Sequence, residues 1–221
     1  MGKKVVFSVL IILIFSSQIK LFSQNSSGED YYELAASASY NFPISKLSRV
    51  YKPALGLHFG FNWVRDDYYS KKILKKGLVL GIMQFKPQSD TLYYSVAPDS
   101  YGTAVYTNYM LVSATFHVEN IKSFNQFGFI AGGDVGLAIT NYSYQRDDIN
   151  IHLGEDSTNG KLIVSPLFGL NYEFDENFSA AFIAQYNSLI SISEAEYDEF
   201  NPVQGIYKQY GSFSLRVGYS F

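Results

Sequence analysis

Three histidines, His58, His117 and His152, bound the acid–base chemistry open to this 221-residue chain. His117 is the most suggestive. Thr115 and Glu119 lie two residues to either side of it and Ser113 beyond, so a strand would set hydroxyl, imidazole and carboxylate in one row. Those are the parts of a hydrolytic triad, in which an acid orients a histidine that activates a hydroxyl. The spacing argues against one, because residues i and i+2 on a strand stand about 7 Å apart, too far for a direct triad without help from adjacent strands. A hydrogen-bonded interior histidine near the inner rim is the expected role. The absence of cysteine excludes thiolate catalysis, thiolate metal sites, a disulfide framework and a lipoprotein anchor.

Acidic clusters occur at Asp147 and Asp148, at Glu155 and Asp156, and at Glu194, Glu196, Asp198 and Glu199. Carboxylate oxygens suit a divalent cation bridging lipopolysaccharide phosphates, but no cluster has EF-hand spacing, and solvated loop charge is the expectation. The stretch KKILKK, 71–76, could meet anionic headgroups or phosphates on the inner side; a solvated turn is the plainer reading. GGDVG, 132–136, lacks GxGxxG spacing and falls within a strand pattern, so nucleotide binding is unsupported. No catalytic residue, cofactor or metal is expected. Nor is nucleic acid a partner, since 17 Lys plus Arg face 20 Asp plus Glu.

The elements that would position these residues begin after residue 24. Lys3 and Lys4 precede an apolar run over 5–15, followed by polar Ser16, Ser17 and Gln18, which reads as a signal peptide over 1–24. The run is too short for a membrane-spanning helix, which needs about 20 residues. Removing 1–24 takes away Lys3, Lys4 and Lys20 and leaves an acidic, exported domain over 25–221.

From residue 31 the apolar residues recur with period 2 in segments separated by Asn, Asp, Gly, Ser and Pro. In the last segment Phe213, Leu215, Val217, Tyr219 and Phe221 share one face, with Ser212, Ser214, Arg216, Gly218 and Ser220 on the other. Comparable segments at 32–42, 54–64, 77–86, 104–118, 126–140, 162–174 and 178–190 bring the total to about eight, the smallest usual number for a transmembrane barrel. An all-β, antiparallel up-and-down barrel is the fold expected. The segment at 77–86 is apolar on both faces, and its orientation is left open. Connections at 119–125 and 175–177 are short; those at 87–103, 141–161 and 191–206 are long and polar, as in an outer-membrane barrel. One disagrees: 65–76 should be a short periplasmic turn.

Under that topology Tyr32, Trp63, Phe116, Phe127, Tyr172, Phe174, Phe178, Tyr219 and Phe221 form an outward aromatic belt at the periplasmic end. A soluble β-sandwich or lipocalin-like barrel would instead turn its oily face inward. Glycines such as Gly56, Gly132 and Gly218 lie on the polar face, making room for His58, Asp134, Asn171, Gln185 and Arg216 in a filled, poreless lumen. Arg216 is expected beside Glu33, because closure pairs the last strand with the first, and Asp134 and Glu173 are further ion-pair candidates.

The signal ending LFSQ, the hairpin YNFPISKLSRVYKPALGLHFGF, the turn NYEFDENFSAAF and the terminal strand closing on Tyr219, Ser220 and Phe221 resemble the small outer-membrane β-barrel proteins of Bacteroidota, the OmpA-like and PorT-like group. The resemblance covers the whole mature chain. It implies residence in the outer membrane among lipid and lipopolysaccharide. Tyr219 and Phe221 resemble the signal by which barrel-assembly machinery recognises its clients. It does not imply one activity, since relatives are variously structural, adhesive or secretory. The expectation is a non-enzymatic barrel acting through surface loops in envelope structure, adhesion or docking of an unidentified protein partner. The alternatives are an accessory to protein secretion and a lipid A or phospholipid-modifying enzyme.

Overall fold

The computed structural model describes residues 29–67, 69–89, 92–97, 100–148, 151–191 and 207–221. The segment read as a signal peptide and the acidic cluster of Glu194, Glu196, Asp198 and Glu199 lie outside them. Alternating residues make strands wherever each face has its own solvent, and ten result: β1 Glu29–Ile44, β2 Ala54–Asp67, β3 Lys72–Phe85, β4 Leu92–Ala97, β5 Ser100–Tyr106, β6 Tyr109–Phe124, β7 Phe127–Asp148, β8 Ile151–Glu173, β9 Phe178–Ser191 and β10 Tyr207–Ser220.

Eight of these, β1, β2, β3, β6, β7, β8, β9 and β10, pair antiparallel in sequence order and close through β1–β10. A closed ring leaves no backbone edge to satisfy, the condition for spanning lipid with strands. Directly opposed residues trace the ring from Gly218 through Ala35, Gly60, Val79, Thr115, Gly136, Ile163 and Leu189 to Lys208, ten residues along β10 from the start. That stagger is the barrel's shear, and it tilts the strands by roughly 35–45°.

Polarity is inverted relative to a soluble barrel. Outward Leu55 is 77% exposed and Leu215 68%, while inward Glu119 is 0% exposed. A fold in water would bury the first two and expose the third. The ambiguous third segment settles with Gly77, Val79, Gly81, Met83 and Phe85 on the inward face, and Leu78, Leu80 and Ile82 outward.

The two ends differ. At the end bearing Glu29 and Phe221, β6 and β7 join through Asn125 and Gln126, Asn125 sitting at φ 59°, a left-handed conformation that asparagine tolerates. The connection over 65–76, expected to be an anomalously long turn, is mostly strand: β2 and β3 pair as far as Asp67 opposite Lys72. Asp67 closes that turn, accepting from the amides of Tyr69 and Ser70 at 3.2 and 3.3 Å and from the Ser70 hydroxyl at 2.8 Å. The Ser70 hydroxyl and amide together hold its carboxyl below the usual carboxylate range.

At the opposite end the chain is elaborate. β4 and β5 form a hairpin whose second strand pairs with the far part of β7. The polar stretch 141–161, expected as a loop, continues β7 and β8 as a ribbon paired out to Asp148 opposite Ile151. Its apolar residues alternate only in short runs, Tyr142 with Tyr144 and Ile151 with Leu153, too few for periodicity to announce a strand. The ribbon's backbone carries Asp147, Asp148, His152, Glu155 and Asp156, with Asp147 opposite His152.

Candidate functional site

The lumen gathers the chain's buried charges, and its strands explain why they meet. His117 on β6 and Asp134 on β7 are direct register partners facing inward, and His117 Nδ1 donates to Asp134 Oδ1 at 2.5 Å. Gln185 on β9 donates to the other oxygen, Asp134 Oδ2, at 2.6 Å. The second ring nitrogen of His117 stands 3.3 Å from Glu119 Oε1. Backbone spacing of about 7 Å between i and i+2 does not keep these groups apart, because both side chains lean into the narrow bore.

Arg216 completes the chain of contacts. Its two terminal nitrogens donate to Glu119 Oε1 and Oε2 at 2.8 and 2.7 Å. This fork-to-fork pair is the strongest geometry available to a guanidinium and a carboxylate. β10 and β6 lie four strands apart in a ring of eight, so the pair crosses the full diameter. Gln185, Asp134, His117, Glu119 and Arg216 therefore brace β9, β7, β6 and β10 against one another.

Arg216 lies near enough to Glu33 for their charges to interact, as expected, but its direct ion pair is with Glu119. Glu33 on β1 is ion-paired instead with Lys75 on β3, and accepts from Asn62 Nδ2 at 3.0 Å and Ser179 at 3.5 Å. Lys75 lies in the KKILKK stretch, yet it points inward and is 3% exposed. Glu173 makes no ion pair among the described residues; it is half-buried near the β8–β9 turn and accepts from Asn171 at 3.3 Å. Asp134 does join the interior network.

Above this layer His58 shares a hydrogen bond with Ser39 Oγ at 2.9 Å, and Asn41 donates to the same oxygen at 2.9 Å. Two glycines keep room for these groups. A Cβ on Gly81 would stand 2.7 Å from both His58 Nδ1 and Ser113 Oγ, and one on Gly218 would stand 2.6 Å from Glu33 Oε2. A cavity of about 50 Å³ remains among His58, Asn62, His117, Asp134, Gln185 and Arg216, room for a few waters.

Apolar groups bound the charged layer on both sides. Toward the ribbon end Leu47, Val50 and Tyr51 of the β1–β2 connection fold over the bore and pack with Phe85, Tyr106, Tyr109, Leu111, Tyr142 and Tyr210. Tyr51 lies 5.5 Å from Tyr109, and Tyr109 stacks on Tyr142 at 5.6 Å, centroid to centroid. The Lys208 ammonium lies 5.4 Å from the Tyr109 ring centre and 5.0 Å from that of Tyr142, a cation–π contact that takes the place of an acid. Main-chain bonds from Lys52 to Lys86 and from Gln88 to Val50 pin the connection in place. A second apolar cluster, Val64, Ile73, Ile121, Ile130, Leu167, Ala181 and Ile183, starts at the β2–β3 and β6–β7 turns and climbs the β8–β9 wall. Sequence reasoning missed the aromatic plug, although Phe85 and Tyr109 fell in segments that were read as strands and Tyr51 in the connection beside them.

On the outside, Tyr32, Trp63, Phe127, Tyr172, Phe174, Phe178, Tyr219 and Phe221 surround the short-turn end. Phe127 and Tyr172, Tyr172 and Phe174, and Phe178 and Tyr219 pack at 4.9, 4.9 and 5.0 Å. Phe116 is corrected: it faces outward but pairs with Leu78 and Val135 far up β6, and Phe124 stands at the turn in its place. The shear raises each successive strand, so equal distance along the sequence is not equal depth.

The expected row of Ser113, Thr115 and His117 does not form a hydroxyl–imidazole pair. Among the described residues no serine or threonine hydroxyl bonds to His117, and the Thr115 hydroxyl donates to the Val79 carbonyl at 3.4 Å. Both His117 ring nitrogens instead meet carboxylates, an arrangement that an imidazolium satisfies twice and a neutral ring once.

No protein-family profile and no curated protein sequence matches this chain. Solved structures similar to it include Neisserial surface protein A, at 15% identity over 86% of this chain and 97% of that one, with a TM-score of 0.43. The attachment invasion locus protein of Yersinia pestis is similar at 13% identity over 88% and 99%, with a TM-score of 0.41. The N-terminal β-barrel domain of Pseudomonas aeruginosa OprF is similar at 17% identity over 88% and 100%, with a TM-score of 0.39. The closed, eight-stranded antiparallel barrel stands on this chain's own ladders and burial.

Proposed function

We infer that the chain is an integral outer-membrane β-barrel without enzymatic activity, closed to solute flow and acting through its ribbon end in adhesion, envelope structure or docking of a partner protein. The asymmetry of its ends carries this reading. One end has only short turns among its described connections, while the other extends β7 and β8 to 22 and 23 residues against 14 for β2, β3, β9 and β10. Transmembrane barrels keep short turns in the periplasm and longer structures outside. The apolar outer wall supports lipid contact, and the buried brace together with the aromatic plug supports a filled bore.

The test combines topology with chemistry. Unboiled protein from outer-membrane fractions should migrate apart from boiled protein, and protease added to intact cells should cut within the ribbon but leave the short turns whole. Cleavage at the short turns alone would overturn the orientation. If deletion of the protein, or His117→Ala, altered lipid A acyl mass, the non-enzymatic reading would fail.

A further inference from the structure

The outer wall at the short-turn end is divided into two arcs. Over β8, β9, β10 and β1 it is ringed by Tyr172, Phe174, Phe178, Tyr219, Phe221 and Tyr32. Over β2, β3 and β6 it carries lysines: Lys72 and Lys122 are exposed, Lys76 is half-buried against Trp63, and Lys71 is exposed at the turn. Lys72 on β3 and Lys122 on β6 are direct register partners. Like charges directly opposite on an antiparallel pair repel, so a fold that sets them there gains from an anion between them.

The nearby acids are already engaged. Asp67 lies across from Lys72 on β2 and attracts it through space, but its oxygens accept from the β2–β3 turn, and Lys122 is left facing Lys72 with no acid in register. Asp30 pairs with Arg65 at 3.9 Å. Beyond Lys122 the next residue across is Phe129. Rings sit close to the cations: the Lys76 ammonium is 5.4 Å from the Trp63 ring centre, and that of Lys122 is 5.6 Å from Phe124. Aromatic rings of this kind lie at the headgroup level of a bilayer.

We propose that the β2–β3–β6 wall binds the phosphate of an anionic phospholipid of the inner leaflet, seated between Lys72 and Lys122 and flanked by Lys71 and Lys76. Trp63 and Phe124 lie along the glycerol and the first acyl carbons. The site rests on the membrane reading given above. A lysine near an anionic surface is worth about a factor of five, so two removed together lower the preference by up to about 25-fold.

The experiment uses the full mature chain refolded into phosphatidylcholine vesicles. Association of spin-labelled phosphatidylglycerol is measured against spin-labelled phosphatidylcholine. The wild type should prefer phosphatidylglycerol, and Lys72→Gln with Lys122→Gln should lose that preference. Lys52→Gln with Lys86→Gln, exposed at the opposite end, should keep it. Equal association of both lipids, a preference that survives loss of Lys72 and Lys122, or full displacement by inorganic phosphate would each overturn the lipid site. Mobility on heating is read on the same preparations. A normal shift without lipid preference defeats this proposal alone, whereas no shift defeats the barrel reading itself.

Discussion

The charged layer and the aromatic plug fill adjacent lengths of one bore by opposite means. In the charged layer a few long side chains reach across open space, and each is held by a partner on a distant strand: Arg216 by Glu119 across the diameter, Lys75 by Glu33 two strands away. The plug is filled by bulk, with rings packed at 5.5 to 6.5 Å and one lysine laid on two of them. The difference teaches how each region fails. Ion pairs are worth little when whole and cost much when halved, whereas packed rings lose in proportion to what is removed.

The largest effect should come from halving the diameter-spanning pair. Arg216→Ala leaves Glu119 buried without its guanidinium and should cost about 3–5 kcal/mol, read as a lower urea midpoint for the refolded barrel. Arg216→Met combined with Glu119→Leu should recover most of that loss. If the double variant were no better than the single one, the layer would be held by something other than charge balance.

Next comes the plug. Tyr109→Ala removes a fully buried ring and should cost about 2–4 kcal/mol, the lower side of ring deletions because water can enter from the open end. Its sharper consequence concerns permeation. The variant should remain non-conducting in a planar bilayer, because the Arg216–Glu119 brace still crosses the bore, whereas Tyr109→Ala with Glu119→Ala and Arg216→Ala should conduct ions. Conductance from Tyr109→Ala alone would make the plug the sole seal.

The smallest effect lies outside the bore, where no packing competes. Asp67, its carboxyl held below the usual range by Ser70, contributes stability that is present above the unfolded-state value and lost as pH falls through the folded one. Asp67→Asn should therefore lower barrel stability slightly at neutral pH and make no difference once the carboxyl is protonated, which flattens the acid limb, measured by urea midpoints from pH 7 down to pH 3. An equal loss at every pH would show that the turn depends on shape and not on charge.

Much of the barrel was legible because its two solvents impose a period of 2 that survives without any tertiary knowledge. The placement of Glu33, Asp134 and Arg216 in the lumen followed from that alternation. Their partners did not, because which residues meet across a bore depends on the shear and on four intervening strands. Glu119 was read in one row with His117, but its partner across the bore was not, and Lys75 was hidden because it sits where a turn was expected. The aromatic plug escaped notice because near the ribbon end inward residues are as apolar as outward ones. Phe116 was misplaced in depth by the tilt.

The ribbon made by the extended halves of β7 and β8 has a consequence for change over time. Eight or nine residues more than in β9 correspond to roughly 25–30 Å of extended chain, close to the thickness of the hydrocarbon itself. In the orientation proposed above, that tip stands farther from the membrane than any other described part of the barrel. Substitutions near Asp148 and Ile151, beyond the plug residue Tyr142, lie far from the brace and should leave the folded barrel undisturbed. If the ribbon is the surface that meets a partner, as proposed above, recognition and stability can drift independently.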